Sequence, residues 1–189
     1  MKRLAIFASG SGSNAEVICE YFAQRSDIEV SLIFTNNPMA GVIKRACRLQ
    51  IPVVFFDQKT FYHTGKIQQI LQNEGIDLVV LAGFMLLVPP SLVKAYPNKM
   101  VNIHPALLPK FGGKGMYGQF VHEAVINAKE LQSGITIHFV NEHYDEGNII
   151  FQATCDIQPT DTVGDLEKKI HALEHAHYPR VIEEILNKQ

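Results

Sequence analysis

A chain of 189 residues, 47% of them hydrophobic, can bury one sizeable core and falls in the size range of one domain. With 17 Lys and Arg against 19 Asp and Glu, the net charge of -2 gives no general attraction to nucleic acid or anionic lipid, and a small ligand is expected instead. The three cysteines, Cys19, Cys47 and Cys155, are widely spaced and odd in number, which suits free thiols in a reducing compartment rather than a disulfide framework.

The start Met1-Lys2-Arg3, followed by an apolar stretch, imitates a secretory signal, but Gly10 and Gly12 end the stretch too early, so a cytoplasmic protein is expected. Residues 4–8, 30–35, 53–56 and 77–82 read as strands, almost continuously hydrophobic as in a parallel sheet covered on both faces. Between the first two, Val17, Ile18, Tyr21 and Phe22 recur at helical spacing, with Asn14 placed as the N-cap. Further helices are expected at 40–49 and 61–73, the latter closed by Gly75. The uncharged stretch from Leu78 onward is interrupted by Pro89-Pro90 and Lys94, too short for a membrane helix, and should be buried within the protein.

A fifth strand, 100–104, leads into the Pro- and Gly-rich segment 105–118, which is long for a plain connection, and a helix is expected over 118–128. Residues 135–140 and 148–156 read as strands that pair antiparallel, joined by a loop at 141–147. Thr162 and Asp165 resemble a capping box, followed by a helical stripe of Val163, Leu166, Ile170, Leu173 and His177 that Pro179 should kink or break. No repeat or linker marks a domain boundary. The expected fold is therefore α/β: a doubly wound, Rossmann-like, mostly parallel sheet with an antiparallel extension in the C-terminal half, in one domain spanning 1–189. Ligands of such sheets bind at the carboxyl ends of the strands.

Directly after the first strand, Ser9-Gly10-Ser11-Gly12-Ser13-Asn14-Ala15 matches G-x-G-x-x-A and opens a helix. Glycines let a backbone approach a phosphate, and helix amides and a hydroxyl stabilise it, although a tight structural turn would carry the same residues. A dinucleotide site would want an acid at the end of the second strand, where Thr35-Asn36-Asn37 stands; a phosphate monoester such as a phosphoribosyl group fits better. Asn102 and His104, two apart on the fifth strand, project to the same side and could stabilise an oxyanion, with His104 also able to move a proton. Asp145, in Asp145-Glu146-Gly147, could orient His104 if its loop folds toward that edge; otherwise it belongs to a solvated acidic loop. His171 and His175 stand one helical turn apart, but zinc needs three or four ligands and no partner is placed by sequence, so no metal is expected.

With the glycine loop, Asn102-Ile103-His104-Pro105-Ala106-Leu107-Leu108-Pro109, Leu81-Ala82-Gly83-Phe84-Met85, Asp145-x-Gly147 and Glu174-His175-Ala176-His177-Tyr178-Pro179 in order, the chain resembles the phosphoribosylglycinamide formyltransferase family nearly end to end. The resemblance implies a formyltransferase fold, with 1–100 the phosphate-binding half and 101–189 the catalytic and folate-binding half. It implies a formyl transfer from 10-formyltetrahydrofolate to glycinamide ribonucleotide in purine synthesis, by a cytoplasmic monomer or weak homodimer without a metal, a nucleic acid or a membrane partner. Gly12, Ser13 and Asn14 would hold the substrate phosphate and Glu174 its ribose or glycinamide portion. Lys59, Met85, Leu86, Leu87, Val88 and Asn102 would contact the folate, while Asn102 and His104 hold the oxyanion and Asp145 keeps His104 protonated.

The chain departs from many relatives at Leu86 and Lys59, where an Arg is common, and at Ala106, where Ser is common. Lys does not match Arg in bidentate carboxylate recognition, so these positions bear on folate affinity more than on the reaction. Other formyltetrahydrofolate enzymes share the Asn-His-Asp set: deformylases carry an added N-terminal regulatory domain and transfer-RNA formyltransferases a C-terminal nucleic-acid-binding domain, neither of which is expected here. A sugar-nucleotide formyltransferase is disfavoured by Ser13-Asn14 and Glu174. A non-enzymatic nucleotide sensor would bind the phosphate without turnover.

Overall fold

The first apolar run forms β1 (Lys2–Phe7), in which Leu4, Ala5, Ile6 and Phe7 are all buried, as a strand covered on both faces requires. A computed structural model describes residues 1–188. After β1 come α1 (Ser13–Phe22), β2 (Ile28–Thr35), α2 (Gly41–Arg48), β3 (Val53–Phe55), α3 (Gln58–His63), α4 (Lys66–Asn73), β4 (Leu78–Leu81), α5 (Pro90–Ala95) and β5 (Met100–His104). The chain continues through α6 (Gln119–Asn127), β6 (Gln132–Phe139), β7 (Ile149–Asp156) and α7 (Val163–Asn187). The strands form a seven-stranded sheet of order β3-β2-β1-β4-β5-β6-β7. β1 pairs in parallel with β2 and β4, β2 with β3, and β6 pairs antiparallel with β7, so the expected parallel sheet with an antiparallel extension is present.

Contacts divide the chain into two compact units, Met1–Val101 and Asn102–Lys188. In the first, Phe7 stacks on Phe34 with ring centroids 4.5 Å apart, and Phe56, Phe61 and Phe84 close around them. In the second, α7 packs on β6, β7 and α6.

Several local expectations need correction. The N-cap of α1 is Gly12, in the left-handed region at φ 78°, not Asn14, which lies in the first turn. The single helix expected over 61–73 is two, because Asp57 caps α3 through the Thr60 amide and Gly65, at φ 67°, starts α4. Gly75 does close α4, at φ 61°. The short α5 hid inside the apolar run, and its Pro90 stands where a missing amide hydrogen costs nothing. That run is not wholly buried, since Met85 is half exposed.

Pro179 does not break α7, which runs 25 residues through it. Burial of Tyr178, Pro179, Val181 and Ile182 offsets the lost backbone bond, about 3 kcal/mol in an exposed helix. Its buried stripe also differs: Leu173 and His177 are half-buried, whereas Glu174 and Tyr178 face inward with Leu166 and Ile170. The capping box of Thr162 and Asp165 forms as the spacing predicts.

Candidate active site

In the second unit, β5 ends on His104, whose side chain is almost wholly buried, and Asn102 projects from the same strand two residues earlier. The His104 Nε2–H donates to the Phe111 carbonyl at 2.8 Å, and Nδ1 lies 3.5 Å from Asp145 Oδ2. Because a carbonyl only accepts, this pairing fixes the hydrogen on Nε2. Asp145 also accepts from the Gly113 amide at 2.9 Å. Its loop folds onto β5, as the catalytic reading requires and a solvated loop does not.

Charge and burial oppose one another at this pair. Burial pushes the His104 pKa below its ordinary value, against the upward pull of Asp145 and the Phe111 carbonyl. Asp145 thus opposes the effect of burial on His104 without reversing it. For Asp145, burial raises the pKa, but the His138 contact, the His104 charge and the Gly113 amide together hold it below the usual carboxylate range.

His138 on β6 completes the group. Its Nδ1–H donates to the Phe139 carbonyl at 2.9 Å, leaving Nε2 to accept from the Asn102 amide at 3.2 Å. The same Nε2 lies 3.6 Å from Asp145 Oδ1. Thus Asn102, His138, Asp145 and His104 form one chain of polar contacts, with the two histidines buried and Asn102 and Asp145 half-buried. Two residues along β6 from His138, Thr136 accepts from the Leu108 amide at 3.0 Å and donates to the Ala106 carbonyl at 2.7 Å, fixing the turn that follows His104. Gly147 supports the loop by close approach: a Cβ there would fall 1.6 Å from the Phe139 oxygen, whereas the left-handed residue is Asp145, at φ 55°. The tight-turn role expected of Gly147 is therefore one of space.

In the first unit, Gly12 takes a positive φ and packs so closely on α2 that an added Cβ would lie 2.5 Å from Val42 Cβ. Its carbonyl accepts from the Glu16 amide at 2.9 Å, so α1 starts directly from the loop, with Ser13 and Asn14 in its first turn. Beyond β4, Met85 is half exposed, Leu86 and Leu87 are half-buried and Val88 is in the core. Tyr62 on α3 donates its hydroxyl to the Leu87 carbonyl at 3.0 Å, which ties α3 to this stretch. Exposed Lys59 lies one turn before Tyr62 on the same helix.

The sequence profile of the formyl transferase family matches residues 2–182. The chain belongs to the formyl transferase family. Among formyl transferases, it is 39% identical to the phosphoribosylglycinamide formyltransferase of Bacillus subtilis, with 98% of this chain and 95% of that protein covered. It is 41% identical to the chloroplastic phosphoribosylglycinamide formyltransferase of Arabidopsis thaliana, covering 96% of this chain but only 64% of that longer protein. The crystal structure of the Bacillus halodurans phosphoribosylglycinamide formyltransferase superposes with a TM-score of 0.88 at 43% identity, covering 99% and 96% of the two chains.

Within this formyl transferase, Glu174 is buried on α7, and burial first, with Glu174 adding to it, raises the neighbouring Tyr178 phenol well above its ordinary pKa. His171 and His175 stack with centroids 6.1 Å apart. Among the described residues no group of three or more His, Cys, Asp or Glu gathers to hold a metal ion, and no helix is long and apolar enough to cross a membrane. His138, Thr136 and Tyr62 were missed from sequence. The detectable signal lay in Thr136 and His138, polar residues alternating with Ile135 and Ile137 on a strand buried on both faces.

Proposed function

We propose that this formyl transferase moves the formyl group of 10-formyltetrahydrofolate onto the primary amine of glycinamide ribonucleotide, acting as one domain over 1–189. The observation that carries the reading is the cluster of Asn102, His104, Asp145 and His138, with both histidines buried, which offers hydrogen-bond donors and one carboxylate partly shielded from solvent. The similarity to the named relatives supplies the substrates.

In this mechanism the neutral amine attacks the formyl carbon and forms the new C–N bond. The carbonyl electrons move onto oxygen, and that oxyanion takes donors from Asn102 and His104. The negative charge counters the burial that depresses His104 at rest and favours its imidazolium, with Asp145 adding to the effect. Collapse breaks the bond between carbon and the folate N10; overall the amine loses one proton and N10 gains one. Because the Phe111 carbonyl holds the Nε2 hydrogen at rest, Nε2 turns to substrate only when that carbonyl withdraws. Phe111 lies in the glycine-rich segment through Gly118, beside Gly112 and Gly113, where such a movement is easiest.

Gly12, Ser13 and Asn14 would receive the substrate phosphate and Glu174 its ribose or glycinamide portion. Lys59, Met85, Leu86, Leu87, Val88 and Asn102 would form the folate side, with Met85, Leu86 and Leu87 presenting surface and Val88 backing them from the core. We place the enzyme in the cytoplasm as a monomer or weak homodimer, an assembly that sedimentation at several concentrations tests. The activity test is incubation with both substrates, following loss of the formyl donor. Amine-dependent loss supports the reading; amine-independent loss indicates a hydrolase, and no loss refutes it.

A further inference from the structure

We propose that Ser9 is a positioning residue that joins the phosphate loop to the start of the folate-side segment, with Asn36 as its uncharged partner. The proposal rests on the substrate reading above. Ser9 is buried and every polar group it owns is committed. Its amide donates to the Gly83 carbonyl at 3.0 Å, and its hydroxyl donates to Asn36 Oδ1 at 2.6 Å while accepting from the Met85 amide at 3.1 Å. Its carbonyl accepts from Asn37 Nδ2 at 3.3 Å.

Ser9 immediately precedes Gly10, and Gly83 and Phe84 lead into Met85, which begins the run Met85 to Val88 assigned to the folate. One side chain therefore sets the start of the phosphate loop against the start of the pterin wall. The rest of the loop is held independently from α2, by the Val42 amide to the Gly10 carbonyl at 3.2 Å and Arg45 Nε to the Ser11 carbonyl at 2.9 Å. That support leaves Ser9 as the link to Met85, and its loss should loosen both subsites while the helices stay folded.

Asn36 occupies the place where a dinucleotide site would carry an acid. An amide oxygen takes the Ser9 hydroxyl as well as a carboxylate would, without placing a negative charge beside a loop meant for a phosphate. The position thus favours a ligand whose anionic phosphate lies at the loop over one whose ribose hydroxyls seek an acid.

The experiment is steady-state kinetics with glycinamide ribonucleotide and 10-formyltetrahydrofolate for the full chain and for Ser9→Ala, Asn36→Ala and Asn36→Asp, each with its melting temperature. Loss of the Ser9 hydroxyl should raise KM for both substrates about tenfold, the size of one lost hydrogen bond, with kcat within about threefold. Asn36→Asp should raise KM for the ribonucleotide more than Asn36→Ala does, and the excess should shrink at high salt because it is like-charge repulsion. A Ser9→Ala enzyme with a lower melting temperature but both KM values unchanged would assign Ser9 a purely structural role and overturn the proposal, as would a rise in one KM alone. If Ser9→Ala does not fold, the Asn36 pair decides: no salt-sensitive excess overturns the charge argument. Failure of the unaltered chain to turn over is recorded first and overturns the substrate reading itself. Normal turnover with unmoved variants overturns the positioning role alone.

Discussion

Replacing Gly147 with Ala tests whether the Asp145 loop is held by backbone contact. The new Cβ would sit 1.6 Å from the Phe139 carbonyl oxygen and 2.7 Å from its carbon, both belonging to backbone at the end of β6 rather than to a side chain that can swing away. Restoring a tolerable separation of about 3 Å requires the loop to retreat by roughly 1.4 Å. Asp145 is two residues away, so a shift of this size breaks the 3.5 Å approach to His104 and the 3.6 Å approach to His138. A misplacement of about 1 Å can cost roughly 100-fold in turnover, and the strain should lower stability by about 1–3 kcal/mol. Gly147→Ala should therefore resemble Asp145→Asn in kcat, with a smaller change in KM, and should also melt earlier. Steady-state kinetics and urea unfolding on both variants measure the two effects. A folded Gly147→Ala enzyme with kcat within twofold of the unaltered protein would show that the loop adapts and that the contact does not position Asp145.

Asn102→Ala should lower turnover by about 100- to 1,000-fold, the loss expected for one preorganised oxyanion donor, with KM changed only a few-fold; near-normal kcat would remove Asn102 from the reaction. His104 and His122 both have pKa values lowered by burial, so their unfolded forms bind protons near pH 6.5 while the folded forms resist. Their stability contribution is thus complete above that pH and falls as pH drops toward the folded values, by at most about 1.4 kcal/mol per pH unit for each histidine. Urea unfolding at pH 8 and 5.5 checks this, and equal stabilities would refute it. The depressed Asp145 adds stability above about pH 4 that is lost only in stronger acid, as pH falls through its folded pKa. A thiol reagent at pH 8 should modify exposed Cys47 first and leave Cys19, buried and pushed up to about 12, protected until unfolding. Early labelling of Cys19, located by mass spectrometry, would contradict its burial.

Much of the fold was legible because its signals are local. Continuous apolar runs marked the parallel strands, Thr162 and Asp165 marked the start of α7, and Gly75 marked the end of α4. Errors arose where a local rule met a tertiary constraint. Pro179 should kink or break a helix by local rules, but its burial with Tyr178 and Ile182 keeps α7 continuous. Asn14 is the better side-chain cap, yet the close approach of Gly12 to Val42 moves the start of α1 forward. At the site, Asn102 and His104 could be read from a period of two along one strand. His138 could only be suspected, because a polar residue on a buried strand has no visible partner until the partner strand and loop are placed.

By itself the sequence determined the α/β class, the glycine loop opening α1, the Asn102 and His104 pair, and the family signature linking them to Asp145. These follow from spacing along a chain whose strand and helix periods are set by covalent geometry. Only the tertiary structure decided that Asp145 reaches His104, that His138 stands between Asp145 and Asn102, and that burial lowers the His104 pKa against the pull of the carboxylate. Distances across 30 or 40 residues and the loss of water around an imidazole depend on what packs against what. No local pattern encodes either.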